Sequence, residues 1–200
     1  MKIRFFLAFS IPADIQLKLN TLIQLMAEKA PGIKWVDPKL IHGTIKFFGD
    51  VEEGFLLDQI SSVIERNLRG MEHIHLQVVG LSVFPNWRYP KVIWAGLSGD
   101  TERAANLHYH FEEILLPLGV PKDERTFRLH LTLGRVNGAP LKNAKTLTSF
   151  LEKQVGHEFG TLTVDRLTLY KSVLTKNGPQ YTSLKEFPFQ ASLSPTKESS

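Results

Sequence analysis

One pattern occurs twice in this chain of 200 residues: a helical stretch followed by an alternating segment that contains His-x-Thr. The two alternating segments are residues 41–48 (IHGTIKFF) and 129–136 (LHLTLGRV). Alternation of apolar and polar residues is typical of a half-buried β-strand, in which residues two apart project from the same face. Each segment is therefore predicted to present an imidazole and a hydroxyl side by side. Two copies of one plan favour a fold of two similar halves.

The rest of the chain interleaves helical and extended patterns. Helices are predicted at about 12–30, 55–68, 107–118 and 141–151, and strands at about 1–10, 34–36, 40–48, 74–79, 91–97, 127–133, 161–170 and 181–187. Several strand pairs adjoin through short turns, which favours an α+β fold with antiparallel sheets over a doubly wound parallel sheet. Because no linker rich in Pro, Gly or Ser divides the chain, residues 1–191 are predicted to form a single domain of two lobes. The polar stretch 192–200 lacks periodicity and is predicted to be a disordered tail.

Composition excludes several kinds of chemistry. The chain has no Cys, so it has no disulfides, no thiolate nucleophile and no Cys-ligated zinc or iron-sulfur cluster. A net charge of +4 mildly favours polyanionic partners such as RNA. The apolar run near the N-terminus is shorter than the roughly 7–15 residues of a secretory signal, and no stretch approaches the roughly 18 of a membrane span. We therefore expect a soluble cytoplasmic protein.

The side chains of the two segments suit one reaction class. Displacement at a phosphodiester phosphorus needs a base, an acid, and donors for the non-bridging oxygens. Histidines can act as base and acid near neutral pH, and threonine hydroxyls can donate to the oxygens. Either motif alone would more often be an ordinary half-buried strand position, but two matching copies indicate the halves of one site. The residues concerned are His42, Thr44, His130 and Thr132.

Further side chains could serve the same site. Lys46 would extend the row of the first motif, and Arg128 precedes the second. Trp87 and Tyr89 lie in a loop bounded by prolines, where they could stack on a nucleobase.

No cofactor is predicted. His73 and His75 lie two apart on a predicted strand and could form a metal pair, but no third ligand stands at a suitable spacing. A solvated strand face is the preferred interpretation. No zinc signature and no glycine-rich phosphate loop is present in the sequence.

The paired motifs resemble the signature of the 2H phosphoesterase superfamily. The surrounding segments are similar to its RNA 2′,3′-cyclic phosphodiesterase branch, historically called 2′-5′ RNA ligase. The similarity extends over nearly the whole chain except the tail. Besides the motifs it includes residues 4–8, 34–36, 84–85, 92–94, 169–172 and 178–181.

This resemblance implies a bilobal, pseudo-twofold arrangement of two antiparallel sheets flanked by helices, with the active site in the central cleft. It also implies metal-independent hydrolysis of a 2′,3′-cyclic phosphate, on RNA or a nucleoside, to a 2′-phosphate. By the same resemblance, His42 is the proton donor to the departing 3′-oxygen and His130 is the base that activates water, although exchanged roles fit the sequence as well. The phosphate would be held by Thr44, Thr132, Arg128 and Arg135.

Arg135 is a conditional member of this set. It has the opposite strand parity to His130, so it can reach the cleft only if the strand ends or bends near Gly134.

Two other functions remain open at this point. A 2′,5′-phosphodiesterase or an RNA 2′-5′ ligase would use the same groups with a different nucleophile or linkage, and a non-catalytic RNA-end binding protein could retain the fold. In each case the expected partner is an RNA end or a nucleoside 2′,3′-cyclic phosphate. We expect no membrane association, no obligatory protein partner and a monomer.

Overall fold

The computed structural model describes residues 4–50, 55–136, 144–176 and 178–189. The strands are β1 (Arg4–Ser10), β2 (Ile33–Trp35), β3 (His42–Asp50), β4 (Ile74–Phe84), β5 (Val92–Gly99), β6 (Leu131–Val136), β7 (Glu158–Val164), β8 (Arg166–Thr175) and β9 (Gly178–Pro188). The helices are α1 (Ala13–Lys29), α2 (Phe55–Leu68), α3 (Thr101–Leu115) and α4 (Ala144–Glu152), with single 3₁₀ turns at Pro38–Leu40 and Leu116–Leu118. Within the described ranges, no helix is long and apolar enough to cross a membrane.

The strands form one antiparallel sheet with two matching halves. Its order is β7-β4-β5-β6-β3-β1-β8-β9, and β2 pairs with β6. The centre of the sheet is the junction of β3 and β6. From it, one half continues outward in the order β3, β1, β8, β9, and the other half in the order β6, β5, β4, β7. Strands at the same place in the two orders correspond to each other. Helices α2 and α3 pack on the first half, and α1 and α4 on the second. The α+β class and the two-lobed plan are confirmed, and the sheets expected for the two lobes are continuous through the β3–β6 pair.

The short apolar run near the N-terminus is β1, in the interior of the sheet. Phe5, Leu7 and Phe9 belong to the hydrophobic core that the helices cover, whereas Phe6 and Ala8 are buried on the opposite face. A strand buried on both faces reads as a continuous apolar run, because alternation is visible only where one face meets water. This explains why the segment could be mistaken for a signal sequence.

The prediction of one strand over residues 161–170 is wrong. The segment contains the end of β7 and the start of β8, which lie toward opposite ends of the sheet and are separated by Asp165. Both strands alternate, so periodicity alone does not reveal the break. The predicted tail 192–200 and the start of the predicted helix at 141–143 lie outside the described residues.

Candidate active site

The two His-x-Thr motifs meet where β3 pairs with β6, at Gly43 and Leu131. Because the strands are antiparallel, this register sets each motif histidine opposite the threonine of the other motif: His42 opposite Thr132, and His130 opposite Thr44. All four side chains are partly buried. They share the sheet face opposite the helices, which we call the motif face.

Each motif imidazole makes the same backbone contact. Nδ1 of His42 lies 2.7 Å from the carbonyl oxygen of Leu40, and Nδ1 of His130 lies 2.7 Å from that of Arg128. A carbonyl oxygen only accepts, so Nδ1 carries the hydrogen and donates it. Nε2 of each neutral ring is then a proton acceptor, and Nε2 of each protonated ring is a donor. Either ring is thus equipped to act as base or as acid.

Aromatic side chains form the wall beside His42. Its ring stacks on Phe6 at a centroid distance of 4.8 Å and meets the edge of Tyr181 at 5.3 Å. Phe6 in turn stacks on Tyr170 at 5.2 Å. This wall orients the imidazole and withdraws it from water.

A second aromatic wall flanks His130. Phe84 and Trp94 stack on each other at 4.8 Å and meet the imidazole at 5.1 and 6.0 Å. The guanidinium of Arg128 lies 5.9 and 6.0 Å from the centres of these two rings. Sequence reasoning did not assign these aromatic residues to the site, although 84–85 and 92–94 are among the segments of family resemblance.

Burial is the main influence on the pKa of His42 and lowers it below the ordinary 6.5. The hydrogen bond to the Leu40 carbonyl opposes this effect, and the charges of His130 and Arg135 lower the pKa further. The neutral ring therefore predominates at pH 7 when no anion is bound.

The pKa of His130 is lowered for the same reasons. Burial is again the largest cause, opposed by the bond to the Arg128 carbonyl, and the charges of Arg135, Arg125 and Arg128 lower the pKa further. The positive charges near both imidazoles disfavour protonation of either ring. A bound anion would have the opposite effect and raise the pKa of both histidines.

A β-bulge on β6 decides where Arg135 points. Ile93 and Trp94 are adjacent on β5, whereas their partners on β6 are Gly134 and Thr132, so Leu133 is the extra residue. The bulge supplies the bend near Gly134 that Arg135 requires.

Beyond this bulge, Arg135 lies on the motif face. Its charge acts on His42, on His130 and on Tyr181, whose pKa is raised by burial and lowered in part by this guanidinium. Arg128 lies beside the second aromatic wall, so both predicted arginines lie near the motif histidines.

A matching bulge on β3 follows the first motif. Leu7 and Ala8 are adjacent on β1, whereas their partners on β3 are Lys46 and Thr44, so Ile45 is the extra residue.

The expectation that Lys46 extends the first row is wrong, because this bulge turns it to the core. Its Nζ donates to Oε2 of Glu112 at 2.7 Å and to the carbonyl oxygen of Pro121 at 2.8 Å. Phe47 takes the place on the motif face, with its ring 6.2 Å from that of Phe6.

The structure does not bring Trp87 and Tyr89 into the histidine walls. Trp87 is half-buried and packs against the hydrophobic core. Tyr89 is 62% exposed in the loop between β4 and β5, with the Arg88 guanidinium 5.3 Å from its ring centre. Base stacking by these residues stays a prediction.

The described ranges hold no group of three or more His, Cys, Asp or Glu residues that could bind a metal ion. Of the predicted solvated pair, His75 is exposed and His73 partly buried. Nδ1 of His75 lies 3.2 Å from the Thr163 hydroxyl.

Comparisons with known proteins agree with this architecture. A sequence model of the 2′-5′ RNA ligase superfamily matches residues 32–175. The RNA 2′,3′-cyclic phosphodiesterase of Methanothermobacter thermautotrophicus is 33% identical over 94% of this chain and 99% of its own. That of Methanocaldococcus jannaschii is 33% identical over 92% and 99%.

Solved structures show the same fold. The crystal structure of TT0787 of Thermus thermophilus superposes with a TM-score of 0.73 and 26% identity, covering 94% of this chain and 98% of that one. LigT of E. coli in its apo form superposes with a TM-score of 0.70 and 21% identity, covering 95% and 99%. Both motifs and the junction between the halves fall within the matched region 32–175, and the chain therefore belongs to the 2′-5′ RNA ligase superfamily.

Proposed function

We propose that this protein is an RNA 2′,3′-cyclic phosphodiesterase, which opens a 2′,3′-cyclic phosphate on an RNA end or a nucleoside to a 2′-phosphate and a 3′-hydroxyl. The register at Gly43 and Leu131 carries the proposal, because it sets two equivalently bonded imidazoles on one face beside two threonines. Relatives with this name align with more than nine-tenths of the chain.

In the proposed reaction, neutral His130 accepts a proton from water at Nε2 while the water oxygen bonds to phosphorus. Protonated His42 donates the Nε2 proton to the 3′-oxygen as the bond from phosphorus to that oxygen breaks. The cycle ends with His130 protonated and His42 neutral, and proton exchange with solvent restores the starting state. The assignment of the two roles follows the family resemblance.

The negative charge that develops on the non-bridging oxygens needs donors and cations around it. In this proposal Thr44 and Thr132 donate hydrogen bonds, and Arg128 and Arg135 supply positive charge. The charge of Arg135 acts on both imidazoles, which supports a position beside the anion.

In this proposal, binding of the substrate helps to protonate the histidine that acts as the acid. In the empty site, burial and nearby cations keep His42 largely neutral at pH 7. An anionic cyclic phosphate raises the pKa of His42 and so provides the proton that the leaving oxygen needs.

The proposal needs no metal ion, because side chains supply the acid, the base and the charge neutralisation. The test is incubation with adenosine 2′,3′-cyclic phosphate in excess EDTA, with products compared to authentic 2′-AMP and 3′-AMP. We expect 2′-AMP. Failure to open the ring would contradict the proposal, and a requirement for added metal would contradict its metal independence.

The same assay separates the related functions. A cyclic-phosphate RNA offered together with a 5′-hydroxyl RNA would yield a joined product from a ligase, and a 2′,5′-linked dinucleotide would be cleaved by a 2′,5′-phosphodiesterase. An RNA-end binding protein would retain the cyclic phosphate unchanged.

A further inference from the structure

Two basic side chains lie next to each other on the motif face, on adjacent strands of the sheet. Lys34 of β2 is the register partner of Arg135 on β6. Residues that oppose each other directly in an antiparallel pair project from the same face, with Cβ atoms about 5 Å apart. Ile33 and Trp35, on either side of Lys34, pack against the hydrophobic core, which agrees with a lysine on the opposite face.

The Lys34 side chain reaches from one half of the sheet to the other. Its strand pairs with β6, whereas its Nζ atom approaches Gly178 at the start of β9, in the other half. A Cβ atom on Gly178 would lie 3.5 Å from this Nζ atom. The ammonium group is therefore located on the motif face between the two halves, although the residue as a whole is exposed.

This ammonium group lies farther from the motif histidines than the guanidinium of Arg135. Tyr181, whose ring edge meets His42, comes three residues after Gly178 on β9, and three residues of a strand extend over roughly 10 Å. In agreement, the charge of Arg135 lowers the pKa of both motif histidines, and Lys34 is not among the charges that do so. Lys34 is thus one step beyond the groups that surround the imidazoles.

The segments around this lysine lack carboxylates. Residues 32–36, 129–136 and 170–182 contain no Asp or Glu. In the part of the chain that the structure describes, no ion pair joins Lys34 or Arg135 to a carboxylate. Like charges directly opposite each other destabilise an antiparallel pair, so an anion bound beside the two cations would relieve their repulsion.

We propose that Lys34 binds the phosphodiester on the 5′ side of the nucleotide that carries the cyclic phosphate. This inference rests on the proposed function, in which Arg135 lies beside the reacting phosphate. Lys34 is the next cation outward along the same face, where the neighbouring phosphate of an RNA chain would lie. A lysine ammonium is a compact point charge that binds phosphate without requiring one orientation, which suits a linkage held away from the chemistry.

This contact would make the enzyme selective for RNA ends. A nucleoside 2′,3′-cyclic phosphate has only the reacting phosphate, whereas the end of an RNA also offers the linkage to the preceding nucleotide. Because contacts to phosphate carry no direct information about the base, the selectivity would not depend on the sequence near the end.

The test compares kcat/KM for three substrates. They are adenosine 2′,3′-cyclic phosphate, the same compound with a 5′-phosphate, and the dinucleotide ApA ending in a 2′,3′-cyclic phosphate. We expect the wild type to prefer the second and the third by about 5-fold, which is the effect of one favourable exposed ion pair. The preference should decrease as the salt concentration rises.

Lys34→Gln should lose most of this preference, because glutamine is polar but carries no charge, and Lys34→Arg should keep it. The loss should appear in KM for the two substrates with the additional phosphate, since the contact is remote from the bonds that form and break. Lys153→Gln removes another exposed lysine, next to the end of α4, and should leave the preference unchanged.

Three results would overturn the inference. A wild-type enzyme that is equally active on the three substrates would do so while leaving the proposed function intact. An unchanged preference in Lys34→Gln would exclude this lysine from binding the additional phosphate, and an equal loss on all three substrates would place it at the reacting phosphate instead. Inactivity of the wild type on all three would contradict the proposed function itself.

Discussion

The Nζ atom of Lys46 lies 2.7 Å from Oε2 of Glu112, and both side chains are buried. The same carboxylate oxygen accepts a hydrogen bond from the backbone N–H of Asp123 at 3.1 Å, and Nζ also donates to the carbonyl of Pro121. The pair therefore connects β3 and α3 with the segment that leads to the second motif.

A histidine on α3 supports the same region. Nδ1 of His108 lies 2.7 Å from the carbonyl oxygen of Ile45, the bulge residue of β3. Its ring stacks on Phe127 at 4.1 Å, in the segment that approaches β6. The first bulge and the approach to the second motif are thus fixed by one buried cluster.

Lys46→Met should lower the free energy of unfolding by about 3–5 kcal/mol, because it leaves the carboxylate of Glu112 buried without its cation. The double variant Lys46→Met/Glu112→Leu should recover most of this loss, since it removes both charges. Urea denaturation monitored by circular dichroism measures both effects.

The exposed ion pair of Arg103 with Glu72 provides the control. Arg103→Met should change stability far less, because water screens that pair. Equal losses in Lys46→Met and Arg103→Met would contradict the role assigned to the buried pair.

Gly43 should tolerate no side chain, because a Cβ atom there would overlap the ring of Phe9 on β1. Gly43→Ala is expected to destabilise the protein by about 1–3 kcal/mol, as overpacking does, and to reduce activity by disturbing the β3–β6 junction. Thermal unfolding and kcat/KM measure the two effects.

The double variant Gly43→Ala/Phe9→Leu should recover part of both losses if the cause is steric. Gly156→Ala, where a Cβ atom would meet nothing within 4 Å, is the matched control. A Gly43→Ala protein as stable as the control would show that the contact with Phe9 is not limiting.

The pKa values of the two motif histidines should be lowered by burial and by the positive charges around them. Burial is the first cause of depression in both, so NMR titration of the Cε1–H signals should give midpoints below 6.5 for His42 and His130. The rate constant kcat/KM needs one ring protonated and the other neutral, so it should peak below pH 6.5.

Removing single cations should raise these midpoints selectively. Arg125→Gln should raise the pKa of His130 more than that of His42, because its charge acts on the former. Arg135→Gln should raise both. Midpoints at or above 6.5, or a larger shift of His42 in Arg125→Gln, would contradict this electrostatic account.

The alternating pattern of each motif predicts its strand and the shared face of its histidine and threonine, because side-chain direction in a strand has a period of two. The register of Gly43 with Leu131 is a contact between distant parts of the chain, and no local pattern encodes it.

The bulges explain why Lys46 and Arg135 point in directions that simple strand alternation does not predict. A bulge is defined by the pairing of two strands, so the reversal of direction at Lys46 and at Arg135 is invisible in either segment alone. The aromatic walls are likewise assembled across strands, which is why Phe6 and Trp94 were not assigned to the site from their own segments.

The most direct test of the paired-histidine mechanism replaces each imidazole separately and follows hydrolysis of adenosine 2′,3′-cyclic phosphate in EDTA. His42→Asn and His130→Asn remove Nε2 while retaining an amide that can donate to the backbone carbonyl, and His110→Ala on the exposed surface of α3 is the control. We predict that each motif variant loses at least about 100-fold in kcat/KM and that the control retains full activity. A folded variant of either motif histidine that keeps more than about a tenth of wild-type kcat/KM, too small a loss for a general acid or base, would contradict the mechanism.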